Sequence, residues 1–230
     1  MAYVAAIIPA AGYGKRMQSS QNKQFMQIKG KPVLAHTINI FEKCEEIAEI
    51  IVVVRSDELD VCRELVCKYG FRKIKSIVAG GAERQDSVWN GLKEVSSHCE
   101  TVVVHDGARP LLLQEILVQA LQESKLSPAL AVGVPVKDTI KIVDNEQHVL
   151  QTPERKMLWA VQTPQIFRKD ILSEAYLHAK KSGFYATDDA GLVEALGIKV
   201  KMVMGSYENI KITTPEDILV AELFLTRRTK

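Results

Sequence analysis

Unbroken apolar runs, rich in Val, Ile and Ala, recur through the first part of the chain. They are "VAAII" from Val4, "EIIVVV" from Glu49, "KSIVAG" from Lys75, "TVVVHD" from Thr101 and "ALAVGV" from Ala129. A strand with one solvated face alternates apolar and polar positions. Runs apolar on both faces predict buried strands of a parallel sheet. Between them lie segments of helical period. "SDELDVCRELVCKYG" starts on Ser56, a good N-cap, and stops at Gly70, while "ERQDSVWNGLKEVSS" and "LLLQEILVQALQESK" are amphipathic. Strand and helix alternating over residues 3–134 predict βαβ units and a doubly wound, mostly parallel α/β sheet.

The rhythm breaks near residue 136. "DTIKIVDNEQHVLQTPERKMLW" alternates loosely around a turn signal at Asp144-Asn145. It reads as an antiparallel hairpin, too polar for the centre of a sheet, projecting from the body over 136–160 and packing on a second subunit. The α/β pattern then resumes with helices in "RKDILSEAYLHAKKSG" and "DDAGLVEALG" and a strand in "KVKMVMG". A final helix opens on Thr214, Pro215 and Asp217 in the manner of a capping box. The whole of 1–230 reads as one domain carrying that arm.

Composition narrows the class. The 230 residues are 47% hydrophobic and 25% charged, ordinary for a globular protein, and the formal charge of +2 argues against a general nucleic-acid binder. Cys44, Cys62, Cys67 and Cys99 form no CxxC pair and no metal-ligand spacing with His, so they read as buried thiols in a reducing compartment. No charged start precedes an apolar run, and no run approaches the ~20 apolar residues of a membrane span, so a cytoplasmic protein is expected, with no membrane partner.

Ligands of open α/β sheets bind at the carboxyl ends of the strands. There the chain offers Pro9 through Arg16, then Gly80, Gly81, Arg84 and Ser87, then His105 through Arg109, then Lys137 to Thr139, and last Glu208, Asn209 and Lys211. Arg and Lys recur, with Asp106 as the prominent acid. A basic crevice with an isolated carboxylate suits a polyphosphate and its magnesium.

The first of these loops, "PAAGYGKRM", holds Gly12 and Gly14, which let the backbone approach phosphate. A dinucleotide fingerprint would need glycine at Met17, and a P-loop would need Ser or Thr after "GK", so neither motif applies. Lys15, Arg16 and Lys23 beside this turn favour a bound anion electrostatically.

"PAAGYGKRM", "NKQF" and "GKPVLAHTINIF", followed in order by "GGAERQDSVWNGL", "VHDGARP", "PVKDTIK", "LWAVQTPQIF", "TDDAGLVE" and "NIKITTPEDI", resemble the 2-C-methyl-D-erythritol 4-phosphate cytidylyltransferase family of the non-mevalonate isoprenoid pathway. The resemblance spans residues 4 to 225 and implies a Rossmann-like nucleotidyltransferase sheet that joins CTP to methylerythritol phosphate and releases pyrophosphate. It assigns Arg16 and Lys23 to the triphosphate and the transition state, and Ala10, Ala11, Gly12, Gly14, Gly80, Gly81 and Ser87 to the cytidine pocket. Asp106 falls near Mg²⁺ and the sugar or tetrol hydroxyls. Arg109, Thr139, Arg155, Thr163, Thr187 and Lys211 hold methylerythritol phosphate, with Arg155 and Lys211 aiming its phosphate. In the family the hairpin clasps a dimer partner, which would put Thr139 and Arg155 in the neighbouring subunit's site. Ala82 and Glu208 stand where some relatives carry Asp.

The acceptor of such chemistry is a phosphate monoester, already largely ionised at neutral pH with a second pKa near ~6, so it needs no general base. The sequence accordingly shows no Ser-His-Asp or Cys-His arrangement. Two rival readings remain on the same fold: a ribitol-5-phosphate cytidylyltransferase and a non-catalytic nucleotide-binding regulator. His105, Trp89 and Trp159 read as packing residues, Asp188 and Asp189 as acids favouring a helix dipole or, alternatively, as metal ligands, and "RRTK" as a solvated helix end.

Overall fold

A computed structural model describes residues 3–12 and 22–228. The chain opens with β1 (Val4–Pro9), a short ribbon of β2 (Gln27–Ile28) and β3 (Lys31–Pro32), and α1 (Val33–Glu42). β4 (Ile47–Val54), α2 (Leu59–Tyr69), β5 (Ile74–Ala79), α3 (Arg84–Lys93), β6 (Thr101–Val104), α4 (Gln114–Ser124) and β7 (Ala129–Pro135) follow. Then come β8 (Ile142–Val143), β9 (Val149–Gln151), β10 (Trp159–Arg168), α5 (Lys169–Ser182), α6 (Asp189–Glu194), β11 (Lys201–Met204) and α7 (Pro215–Arg228).

Seven strands form one sheet in the order β11-β7-β10-β6-β1-β4-β5. All pairings are parallel except those of β10, which runs antiparallel between β6 and β7. Strand parity divides the core. Val4, Ala6 and Ile8 face a layer that includes Leu34, Ile38 and Phe41 of α1 and Leu117 of α4. Ala5 and Ile7 face Val88 and Leu92 of α3, Leu172 and Tyr176 of α5, and Leu192 of α6. Helices on both faces explain why β1 and the inner part of β4 are buried at successive positions.

The apolar runs become β1, β4, β5, β6 and β7; β1, β4, β6 and β7 are mainly buried as the pattern predicts, whereas β5 lies at the sheet edge and is only half-buried. Gly70 ends α2 with φ +64, a left-handed cap that suits glycine. Asp217 Oδ2 accepts the Thr214 N–H at 2.8 Å and the Thr213 N–H at 2.7 Å, capping α7. β8 and β9 form a separate antiparallel hairpin, its turn tied by Asp144 Oδ1 accepting the N–H groups of Glu146 and His148 at 2.9 Å each.

Four details differ from expectation. Ser56 opens a 3₁₀ turn (Ser56–Glu58) with no side-chain cap, and α2 begins later. The stretch from Trp159, read as the end of the hairpin, starts the long central strand β10. Cys44, Cys62 and Cys99 are buried, but Cys67 is exposed. Arg228 is exposed at the end of α7 but does more than meet solvent: its guanidinium donates to Glu208 Oε2 at 2.9 Å and to the Leu111 carbonyl at 2.9 Å, tying α7 to the body. Among the described residues no helix is long and apolar enough to cross a membrane.

Candidate active site

A cavity of about 590 Å³ lies at the carboxyl ends of β1, β5 and β6. Pro9 ends β1 and Ala11 and Gly12 follow it, Gly81, Ala82, Arg84 and Ser87 come from the β5–α3 junction, and Asp106 and Ala108 from the loop after β6. Lys23, Gln24 and Lys211 complete the wall.

The β5–α3 junction is shaped by two glycines. A Cβ at Gly80 would sit 2.5 Å from the Ala11 Cβ, and one at Gly81 2.3 Å from the Asp86 Cβ. Side chains there would push the first loop and the start of α3 apart. Ser87 Oγ accepts the Gly81 N–H and donates to the Glu83 carbonyl, both at 3.1 Å, which fixes the turn. Ala10 lies beneath this surface, buried, with its N–H donated to the Val53 carbonyl.

Asp106 is the electrostatic centre. Lys211 Nζ lies 2.7 Å from Oδ2, Arg84 Nε 3.2 Å from Oδ1, and Arg109 Nε 3.8 Å from Oδ2. Burial works against ionisation of Asp106, but Arg84, Lys211 and Arg109 outweigh it and hold its carboxyl well below the usual carboxylate range. Arg109 is itself anchored by donating to the Asn209 carbonyl at 2.8 Å.

Behind Asp106 runs a buried polar chain. The Asp106 N–H donates to Thr163 Oγ1 at 3.0 Å, and that oxygen lies 3.1 Å from His105 Nδ1, while His105 Nε2 lies 3.0 Å from the Arg109 carbonyl. A carbonyl only accepts, so Nε2 carries the proton, and Nδ1 accepts from the Thr163 hydroxyl. Burial pushes the His105 pKa down to about 4, which keeps the imidazole neutral.

The cavity thus gathers Ala11, Gly12, Lys23, Gly81, Ser87, Asp106 and Lys211 from the residues singled out in the sequence. Ala10, Arg109 and Thr163 belong to the layer that supports it. Gly14 and Arg16 lie outside the described residues. Thr139 and Thr187 are exposed, and Arg155 sits exposed on a 3₁₀ turn, donating to the Lys137 carbonyl at 3.0 Å. Thr139 and Arg155 do not line the cavity of their own chain. Glu208 gives a carboxylate oxygen to Arg228.

Sequence reasoning gave no role to Arg84, which lines the cavity and pairs with Asp106, and left its second partner, Asp189, as an acid favouring a helix dipole. The signal for Arg84 was its place after a strand; Asp189 had none, lying 105 residues away. As metal donors the cavity wall offers the Asp106 carboxylate and, at its rim, Glu83. Glu49, His98 and Cys99 also converge, but Glu49 already accepts the N–H and hydroxyl of Ser96, and Lys75 stands 3.7 Å away, in competition with any cation.

The profile of the 2-C-methyl-D-erythritol 4-phosphate cytidylyltransferase family matches residues 4–227. The chain is 52% identical to a 2-C-methyl-D-erythritol 4-phosphate cytidylyltransferase of Caldanaerobacter subterraneus subsp. tengcongensis, covering 97% of this chain and 99% of the relative. It is 50% identical to one from Alkaliphilus metalliredigens, covering 98% and 94%. The crystal structure of a 4-diphosphocytidyl-2C-methyl-D-erythritol synthase from Anaerococcus prevotii superposes with a TM-score of 0.88 at 36% identity, covering 98% of this chain and 97% of that one. Matched over nearly its whole length by that profile and by these relatives, the chain belongs to the 2-C-methyl-D-erythritol 4-phosphate cytidylyltransferase family of enzymes.

Proposed function

We propose that the cavity binds CTP and 2-C-methyl-D-erythritol 4-phosphate together. A phosphate oxygen of the acceptor attacks the α-phosphorus of CTP, the bond to the β-phosphate oxygen breaks, and pyrophosphate leaves with 4-diphosphocytidyl-2-C-methyl-D-erythritol as the other product. The observation that carries this reading is the buried Asp106 held ionised among Lys211, Arg84 and Arg109 in the cavity wall. The difficulty of the reaction is bringing a dianion onto a triphosphate, and fixed cations offset that repulsion.

Lys23, with Arg16, grips the triphosphate and the charge growing on the leaving pyrophosphate. The turn at Gly12, Gly80 and Gly81, with Ser87, encloses cytosine by main-chain groups, which leaves little room for a purine. Asp106 accepts hydroxyls, and Lys211 with Arg109 and Thr163 directs the acceptor. Magnesium would draw on the ionised Asp106 carboxylate for a hard oxygen in competition with Lys211, Arg84 and Arg109, and would take its remaining ligands from phosphates and water. When bound it supplies charge compensation on the phosphates.

Arg155 and Thr139 act in the site of a second copy, with Thr187 contributing from the loop before α6. The arm supports this, since Ile142, Val149, Leu150 and Met157 are exposed in the single chain. The assembly is a homodimer that works in the cytoplasm. Pyrophosphate release from CTP and Mg²⁺, run in parallel with methylerythritol 4-phosphate and ribitol 5-phosphate, tests the reading. Release with the tetrol phosphate alone is expected. Release with ribitol phosphate alone replaces the acceptor, and release with neither returns the protein to nucleotide binding without transfer.

A further inference from the structure

Arg84 divides its guanidinium between two carboxylates. Nε donates to Asp106 Oδ1 at 3.2 Å, and Nη2 donates to Asp189 Oδ2 at the shorter distance of 2.8 Å. Asp189 is 1% exposed, and its other oxygen accepts the Tyr176 hydroxyl. Tyr176, buried on α5, stacks on Trp89 with centroids 5.7 Å apart, and Trp89 lies on α3, the helix that begins with Arg84.

An acid in the first turn of α6 serves the helix dipole equally well from solvent, so the dipole does not explain why this one is buried. Stability does not explain it either, because desolvation offsets most of the gain from a buried ion pair. What the burial does accomplish is geometric. An arginine facing a carboxylate tends to close on it with two parallel N–H groups. Here Arg84 gives Asp106 a single, longer hydrogen bond, and Oδ2 of Asp106 is left to Lys211 at 2.7 Å.

We propose that Asp189, seated by the Tyr176 hydroxyl, is a positioning residue for the nucleotide end of the site. It draws one arm of Arg84 back into the protein, so that the guanidinium stays in the cavity wall with a single hydrogen bond to Asp106 Oδ1, and Oδ2 stays with Lys211. This rests on the reading of the cavity as a CTP site.

The test varies CTP and acceptor separately in Asp189→Asn. Loss of one charge-assisted hydrogen bond on the anchor should raise KM for CTP by about tenfold. The KM for the acceptor should rise by a smaller factor, because Lys211 and Arg109 meet Arg84 only through the shared Asp106. Tyr176→Phe keeps the ring stack and should shift KM for CTP the same way by a smaller factor; it carries the test if Asp189→Asn does not fold. Because Asp189 acts through Arg84, Arg84→Met combined with Asp189→Asn should be no worse than Arg84→Met alone. Equal shifts in both KM values, or losses that multiply in the double variant, overturn the proposal. Calorimetric titration with CTP alone reads the same tenfold loss without turnover. An inactive wild type that binds CTP therefore defeats the assigned reaction while the clamp is still measured, and a wild type that binds no CTP overturns both.

Discussion

His105 should make this protein lose stability as the pH falls below the ordinary imidazole range. Its ring is fully buried, with Nε2 donating to the Arg109 carbonyl and Nδ1 accepting from Thr163, an arrangement available to the neutral ring alone. Burial lowers its pKa from 6.5 to about 4. Between those values the unfolded chain binds a proton that the folded one refuses, so stability is full above the upper value and drains as the pH falls towards the lower. At about 1.4 kcal/mol per pH unit the gap is worth about 3 kcal/mol, a sizeable share of the ~5–15 kcal/mol that holds a typical protein folded. Urea unfolding from about pH 7.5 to about pH 4.5, in wild type and in His105→Asn, reads it. The variant starts less stable, having lost the ring packed 5.1 Å from Phe41, yet should decline much less over the window. His36, whose pKa is also lowered by burial, remains in both proteins and cancels in the difference. Parallel declines in the two proteins would refute the assignment of a neutral, buried His105.

Lys23→Ala should cut kcat by at least about a hundredfold, since fixed transition-state cations contribute on that scale; near-normal turnover in the pyrophosphate assay would sink its role. Gly81→Ala should raise KM for CTP, because the new Cβ would start 2.3 Å from the Asp86 Cβ and must displace the turn, at a cost of about 1–3 kcal/mol in overpacking. Unchanged CTP kinetics would show that the turn tolerates the shift. Arg155→Ala should raise KM for the acceptor more than for CTP, and mixing it with an inactive Lys23→Ala subunit should restore part of the activity if the arm works in trans; no recovery on mixing, where hybrid dimers form, counts against a shared site.

The parallel strands were legible because a strand covered on both faces has room for little except Val, Ile and Ala, and β1, β4, β6 and β7 carry that composition. β10 was hidden for the opposite reason. It occupies the interior of the sheet between β6 and β7 while burying Gln162, Thr163 and Gln165. Those polar groups break the apolar run, and the register shift between Val161 and Gln165 breaks the alternation. Each is satisfied at long range: Gln162 donates to the Ser206 carbonyl at 2.9 Å, Thr163 serves Asp106 and His105, and Gln165 donates to Asp188 Oδ2 at 2.7 Å. They join the loops after β6 and β11 and the start of α6, which are the segments that surround Asp106 and Arg84. A pattern of local period cannot register partners so far apart in sequence, and Asp189, reaching Arg84 across the same gap, escaped notice for the same cause. The strand least visible in the sequence is therefore the one whose polar residues assemble the site, as expected where local rules yield to the needs of function. The catalytic wall rests on a buried polar seam that only the folded chain brings together.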